Sequence, residues 1–266
     1  MNNLLRSTSR APAVLGILIY STVNSGSCAL ATRDLSSLAT VLQRLLGFVM
    51  ATTISACAAH STQPTRYLAL GDSYTIGEGV AANESWPHQL AAALRARGSA
   101  IAEPEIVAHT GWTTDELSAA MDAHAFHPPY ALVTLLIGVN NQYRGRDLQN
   151  YRVEFRTLLE RAIALAGGDA SRVVVVSIPD WGVTRFGAES GRDLGEVARE
   201  IDAFNASAAA ISTTLHAHYV DVTAISRDRG GSPDTLAADG LHPSAAMYSR
   251  WTAAIAPAAQ AALHRH

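Results

Sequence analysis

Three residues whose side chains can together turn a hydroxyl into a nucleophile stand far apart in the chain: Ser73, Asp239 and His242. A serine hydroxyl attacks poorly until a base removes its proton. Imidazole can do so near neutral pH, and a carboxylate on its far nitrogen holds the required tautomer and stabilises the imidazolium. Ser73 closes the stretch Tyr67-Leu68-Ala69-Leu70-Gly71-Asp72-Ser73, an apolar run entering a turn. Asp239 and His242 share the segment Asp239-Gly240-Leu241-His242, a spacing that a tight turn can close onto the ring. Pro243 favours an extended backbone at His242. Attack on a carbonyl also builds charge on its oxygen, and donors must be waiting there. The backbone N–H groups of Ser73 and Gly111 and the side-chain amide of Asn140 are the candidates. Gly111 is read as standing at a helix start, where the helix dipole would help.

The composition removes competing chemistries. All 20 basic residues are Arg, so there is no Schiff-base lysine, no Ser–Lys dyad and no phosphate-loop lysine. Both cysteines, Cys28 and Cys57, precede the main body, which is left without a thiol nucleophile, a disulfide or a thiolate metal site. A net charge of −3 offers no basic footprint for nucleic acid.

The elements that must position these groups alternate. Strand character falls on Arg66 to Leu70, Glu105 to Ala108, Ala131 to Ile137, Arg172 to Ile178 and Tyr219 to Val222. The unbroken β-branched run Val173-Val174-Val175-Val176 predicts an inner parallel strand buried on both faces. Between the strands lie helical patterns: Ser85 to Arg97, with Pro87 in the first turn and Gly98 past the end; a helix opened by the capping-box spacing of Thr113 and Glu116; a helix from Asp147 to Gly167; and one within Asp193 to Ala217. A last helix starts near Pro243 with Met247, Trp251 and Ile255 on one stripe. This order predicts a parallel sheet covered on both faces, with chemistry at the carboxyl ends of its strands.

Gly71-Asp72-Ser73, Gly111, Gly138-Val139-Asn140 and Asp239-Gly240-Leu241-His242 resemble, in order, the four signature segments of the SGNH (GDSL-type) hydrolases. The resemblance runs over residues 66–266. It implies a flavodoxin-like three-layer α/β/α sandwich with a five-stranded parallel sheet. It also implies a serine esterase working through an acyl-serine intermediate without metal or cofactor. Ser73 is then the nucleophile, His242 the base and Asp239 its orienter, with the Ser73 N–H, Gly111 and Asn140 as oxyanion hole. Small-molecule or lipid esters are the implied substrates, as for lipases and lysophospholipases. Carbohydrate O-deacetylation on the same site stays open, as does a non-catalytic surface binding lipoprotein. Ser73 is not in a Gly-x-Ser-x-Gly elbow, which argues against the α/β-hydrolase fold. Two positions depart from the family pattern: Asn141 stands where many members have Asp, and His109-Thr110-Gly111-Trp112 lacks the Asn that many carry shortly before the glycine.

Other residues near strand ends compete for roles. Asp72 reads as a loop brace and Asp180 as the second candidate for the triad acid. Trp112 and Trp181 are candidates to shape an apolar acyl pocket or to pack the core. His109 either lines the cleft or serves structurally. Arg144 and Arg146 either attract an anionic substrate group or stand solvated on a loop. The pairs His216/His218 and His124/His127 read as surface residues rather than metal ligands.

Residues 1–57 read as a leader and 58–65 as a linker. Two apolar runs, Ala11 to Val23 and Leu45 to Ala56, have signal-peptide length and are short for a spanning helix. The second ends in Ile54-Ser55-Ala56-Cys57, which resembles a bacterial lipobox with Cys57 as the lipidated residue. A start codon downstream of Met1, cleavage after Ala31, or an unprocessed extension are the alternatives. The expectation is export, to the periplasm or as a membrane-anchored lipoprotein.

Overall fold

The computed structural model describes residues 64–229 and 234–264. The leader, the candidate lipobox and Cys57 lie outside the described residues.

Five strands form one parallel sheet: β1 (Thr65–Asp72), β2 (Ile101–His109), β3 (Leu132–Leu136), β4 (Val173–Val176) and β5 (His218–Val220), in the order β2-β1-β3-β4-β5. This is the flavodoxin-like arrangement. The valine run forms β4, fully buried between β3 and β5, as its lack of any polar face requires.

After its first turn, α1 (Ser73–Ile76), the chain continues through α2 (Trp86–Ala96), α3 (Thr114–Ala123), α4 (Val139–Tyr143), α5 (Leu148–Leu165), α6 (Arg185–Glu189), α7 (Leu194–Thr214), α8 (Thr223–Arg229) and α9 (Ala245–His264). The step from β1 to β2 runs one way across the sheet and every later step runs the other. With crossovers of one hand, α2 is thereby separated from α3, α5 and α7. Accordingly α2 packs on α9, while α5 packs on both α3 and α7. The core between the layers is Tyr67 to Leu70, Leu132 to Leu136 and Val173 to Val176, met by Trp86, Leu90, Leu94, Phe155, Leu158, Trp251 and Ile255.

The capping box read from Thr113 and Glu116 forms, and the two aspartates that bound later helical patterns prove to be caps. Thr113 and Glu116 close a capping box on α3, and Asp147 and Asp193 accept the Asn150 and Glu196 N–H groups at the starts of α5 and α7. Two expectations are corrected. The segment after Asp72 is not simply a loop, because Ser73–Ile76 forms a helical turn capped by the Asp72 carboxylate and ended by Gly77 at φ +79°. Gly111 is not at a helix start: α3 begins at Thr114, and Gly111 sits in a preceding turn at φ +86°, closed by the Trp112 N–H on the His109 carbonyl at 3.2 Å.

Candidate active site

The strand order places the chain's first reversal between β1 and β3, and a crevice forms at the carboxyl edge of such a point. The register brings Asp72 beside His109 and Gly71 beside Leu136. The segments leaving β1, β2 and β3 therefore emerge together. Gly71 permits this close approach, since a Cβ there would lie 2.5 Å from the Leu136 carbonyl oxygen and 2.1 Å from Thr75 Oγ1.

Ser73 is the first residue of α1 and His242 lies on the loop before α9, yet Ser73 Oγ is 3.0 Å from His242 Nε2. The far nitrogen, Nδ1, is 2.6 Å from Asp239 Oδ2. Ser73 and His242 are 5% and 8% exposed. The loop that carries Asp239 is built locally: Asp239 Oδ1 accepts the Leu241 N–H at 2.9 Å and the His242 N–H at 3.0 Å, an Asx-type turn around Gly240 at φ +71°. Burial works against ionisation of Asp239. The bonds from the His242 ring and from the two N–H groups outweigh it, and its carboxyl is held below the usual carboxylate range.

Neighbours that the sequence did not single out brace this line. The Tyr74 ring tilts against the imidazole at 5.4 Å. From α6, the Phe186 N–H bonds the Gly240 carbonyl at 3.0 Å and Arg185 Nη2 donates to the Ala238 carbonyl at 3.1 Å. Adjacency to Ser73 was the only sequence signal for Tyr74, and none marked α6.

The three candidate oxyanion donors come from three segments of the same edge. The Ser73 N–H lies in the first turn of α1, where an N–H has no intrahelical partner. The Gly111 N–H meets no acceptor among the described residues. Asn140, in the first turn of α4 rather than on a strand end, gives one amide hydrogen to the Trp112 carbonyl at 2.9 Å, leaving its second.

Residues 69–250 match the GDSL-like lipase/acylhydrolase family. The chain belongs to that family. It is an SGNH-type hydrolase acting on ester bonds. Among solved structures, TesA is 21% identical over 73% of this chain and 97% of its own, with a TM-score of 0.57. The lipase/acylhydrolase of Enterococcus faecalis is 20% identical over 73% of this chain and 95% of its own, at 0.53. The lipase Lip_vut3 from a goat rumen metagenome is 18% identical over 73% and 97%, at 0.58. These likenesses carry the fold. No curated protein matches the chain.

Within this GDSL-like hydrolase the remaining candidates resolve by their partners. Asp180 lies past the end of β4, four residues beyond Val176, where it caps the turn Trp181–Val183; its Oδ2 pairs with Arg227 Nε at 2.8 Å and its Oδ1 accepts the Gly182 N–H at 2.9 Å. Both oxygens are thus engaged by partners other than the imidazole. Trp181 is 2% exposed, bonds Gln142 Oε1 through Nε1 at 2.8 Å and packs against Tyr143 and Phe186, so it belongs to the packed interior. Trp112 is half-buried and stacks on His109 at 5.5 Å. Asn141 is fully buried; its Oδ1 accepts the Thr114 N–H at 3.1 Å and its Nδ2 donates to Thr114 Oγ1 at 2.6 Å, pinning the start of α3 to α4. Arg144 and Arg146 are not free anion sites. Arg144 Nη2 donates to the Gly111 carbonyl at 2.6 Å with Glu116 at 3.4 Å, and Arg146 pairs with Asp115. His216 lies beyond the end of α7, His218 is in β5 and His124 pairs with Glu105. No metal-holding group of three or more such side chains occurs among the described residues.

Asp72 is a brace of unusual charge state. It is fully buried, its Oδ1 accepts the Tyr74 N–H at 3.0 Å, and its Oδ2 has no partner. Burial raises its pKa to about 7, against the opposing pull of the Tyr74 and Asp72 N–H groups. A raised carboxyl pKa means that the folded state holds this proton more tightly than the unfolded chain. Stability from this group is therefore fullest below about pH 4 and declines as pH rises toward 7 and past it. Asp72→Asn keeps the cap but cannot ionise. Its melting temperature relative to the parent should rise between pH 4.5 and pH 8; a difference constant over that range would refute the assignment.

Proposed function

We propose that this hydrolase is an exported serine esterase that cleaves small-molecule or lipid carboxylic esters through an acyl-Ser73 intermediate. The observation that carries the reading is the continuous line Ser73 Oγ, His242 Nε2, His242 Nδ1, Asp239 Oδ2, with gaps of 3.0 and 2.6 Å.

His242 Nε2 takes the Ser73 proton as Oγ bonds to the ester carbon, and the carbonyl π pair moves onto oxygen. The Ser73 N–H, the Gly111 N–H and the second Asn140 amide hydrogen receive that charge. Loss of one such donor typically costs roughly 2.7–4 kcal/mol of barrier stabilisation. Collapse breaks the bond to the alcohol oxygen, which leaves with the proton from His242. Water then gives a proton to Nε2, attacks the acyl carbon and releases the acid, and the proton returns to Ser73. Asp239 stays ionised throughout and keeps the Nδ1–H tautomer in place.

A fluorophosphonate probe tests this, because only an activated serine reacts. Peptide mapping should find the label on Ser73; a folded protein that stays unlabelled there would sink the reading. Export, lipid attachment at Cys57 and membrane anchoring through that lipid are supported by the lipobox-like Ile54-Ser55-Ala56-Cys57 and by the two apolar runs Ala11 to Val23 and Leu45 to Ala56. Mass spectrometry of the mature N-terminus decides between a lipidated Cys57 and an intact Met1.

A further inference from the structure

We infer that His109 and Arg144 are positioning residues that aim the Gly111 N–H into the oxyanion hole. The inference rests on the reading of Gly111 as a donor and assigns a role to two residues that the proposed mechanism does not use.

Gly111 has no side chain to anchor it, and it sits at φ +86°, a region open to glycine without strain, so its peptide planes take their direction from their hydrogen-bond partners. Its N–H belongs to the peptide unit whose carbonyl is that of Thr110. The unit is planar and trans, so carbonyl and N–H point in opposite directions. Whatever grips the Thr110 oxygen therefore sets the direction of the Gly111 hydrogen.

His109 Nδ1 lies 2.9 Å from that oxygen. A carbonyl can only accept, so Nδ1 carries the proton in this contact. The ring is held for the task by its stack on Trp112, at 5.5 Å and 29° between planes. From the other side, the Thr110 hydroxyl donates to Glu78, which follows α1. The next peptide is gripped as well, since Arg144 Nη2 donates to the Gly111 carbonyl at 2.6 Å. The peptide planes on both sides of the Gly111 Cα are thus pinned, one by His109 and one by Arg144. Accepting a bond at the Thr110 oxygen also polarises the same unit and strengthens its N–H as a donor. Arg144 follows α4, which carries a second oxyanion group, Asn140, and His109 ends β2, which leads directly into the Gly111 turn.

Substitution separates this role from simple packing. His109→Phe keeps a ring on Trp112 and loses the donor. His109→Asn places an amide hydrogen near the position of Nδ1. On a chromogenic short-chain ester, His109→Phe and Arg144→Met should each lower kcat and kcat/KM together by about three- to tenfold, the range of one net hydrogen bond, with KM little changed. His109→Asn should stay within about twofold of the parent. Parent-like kcat in both His109→Phe and Arg144→Met would overturn the inference, as would a loss confined to KM or an Asn variant as slow as the Phe variant. Both side chains are exposed, and melting curves that match the parent exclude misfolding as the cause. Full turnover by a Ser73→Ala variant would instead remove the underlying reading of the site.

Discussion

Ser73→Ala is expected to abolish measurable ester turnover and to leave the fold intact. The expected loss in kcat is on the order of 10⁶-fold, as when the serine of such a triad is removed. The size follows from covalent catalysis: without Oγ there is no acyl-enzyme, and His242 can at best activate water in a site shaped for another nucleophile. The structural cost is small. Among the described residues Ser73 Oγ has one partner, His242 Nε2 at 3.0 Å, and a buried neutral hydrogen bond contributes about 1 kcal/mol. For a domain of this size that is a shift of about 2–4 °C in melting temperature. Initial rates on a chromogenic ester beside a thermal melt check both halves, and a folded variant turning over at the parent rate would refute the assignment of the nucleophile.

Asp239→Asn is expected to lower kcat by about 10⁴-fold, and the local hydrogen bonds explain why an isosteric change is so costly. In the parent, Oδ1 takes the Leu241 and His242 N–H groups while Oδ2 faces His242 Nδ1. An asparagine must keep its only acceptor on the two backbone donors, because turning the amide round would set its hydrogens against theirs. The NH₂ then faces Nδ1 and donates to it. The ring proton is forced to Nε2, which can no longer accept from Ser73. KM should change little, since nothing in the exchange touches substrate binding. The corresponding Asp180→Asn change should weaken the pairing with Arg227 and the stability of the loop after β4, with kcat within a few-fold of the parent. Rates of the two variants measured together decide between the carboxylates, and a larger kcat loss from Asp180→Asn would reverse their roles.

What the sequence determined by itself was whatever depends on near neighbours in the chain. The valine run had no polar face and could only be an inner strand. Thr113 with Glu116 announced a helix through capping bonds that span a single turn. Asp239 and His242 are close enough for one Asx turn to join them, so their pairing was legible as a spacing. The ordered alternation of strands and helices then confined Ser73, Gly111 and Asn140 to one edge of the sheet.

Only the tertiary structure decided between chemically equal candidates. Asp180 and Asp239 are both carboxylates on loops after strands. The first is taken by Arg227, 47 residues away, and no local pattern reports that choice. The same holds for Trp181, drawn into the interior by Gln142, and for Arg144, whose charge is spent on the Gly111 carbonyl rather than held out for a ligand. The short helices α1 and α4 were missed because a single turn carries no hydrophobic period to read. Local hydrogen bonds are encoded by adjacent residues, whereas the partner of a long polar side chain is set by which loops the fold brings into reach.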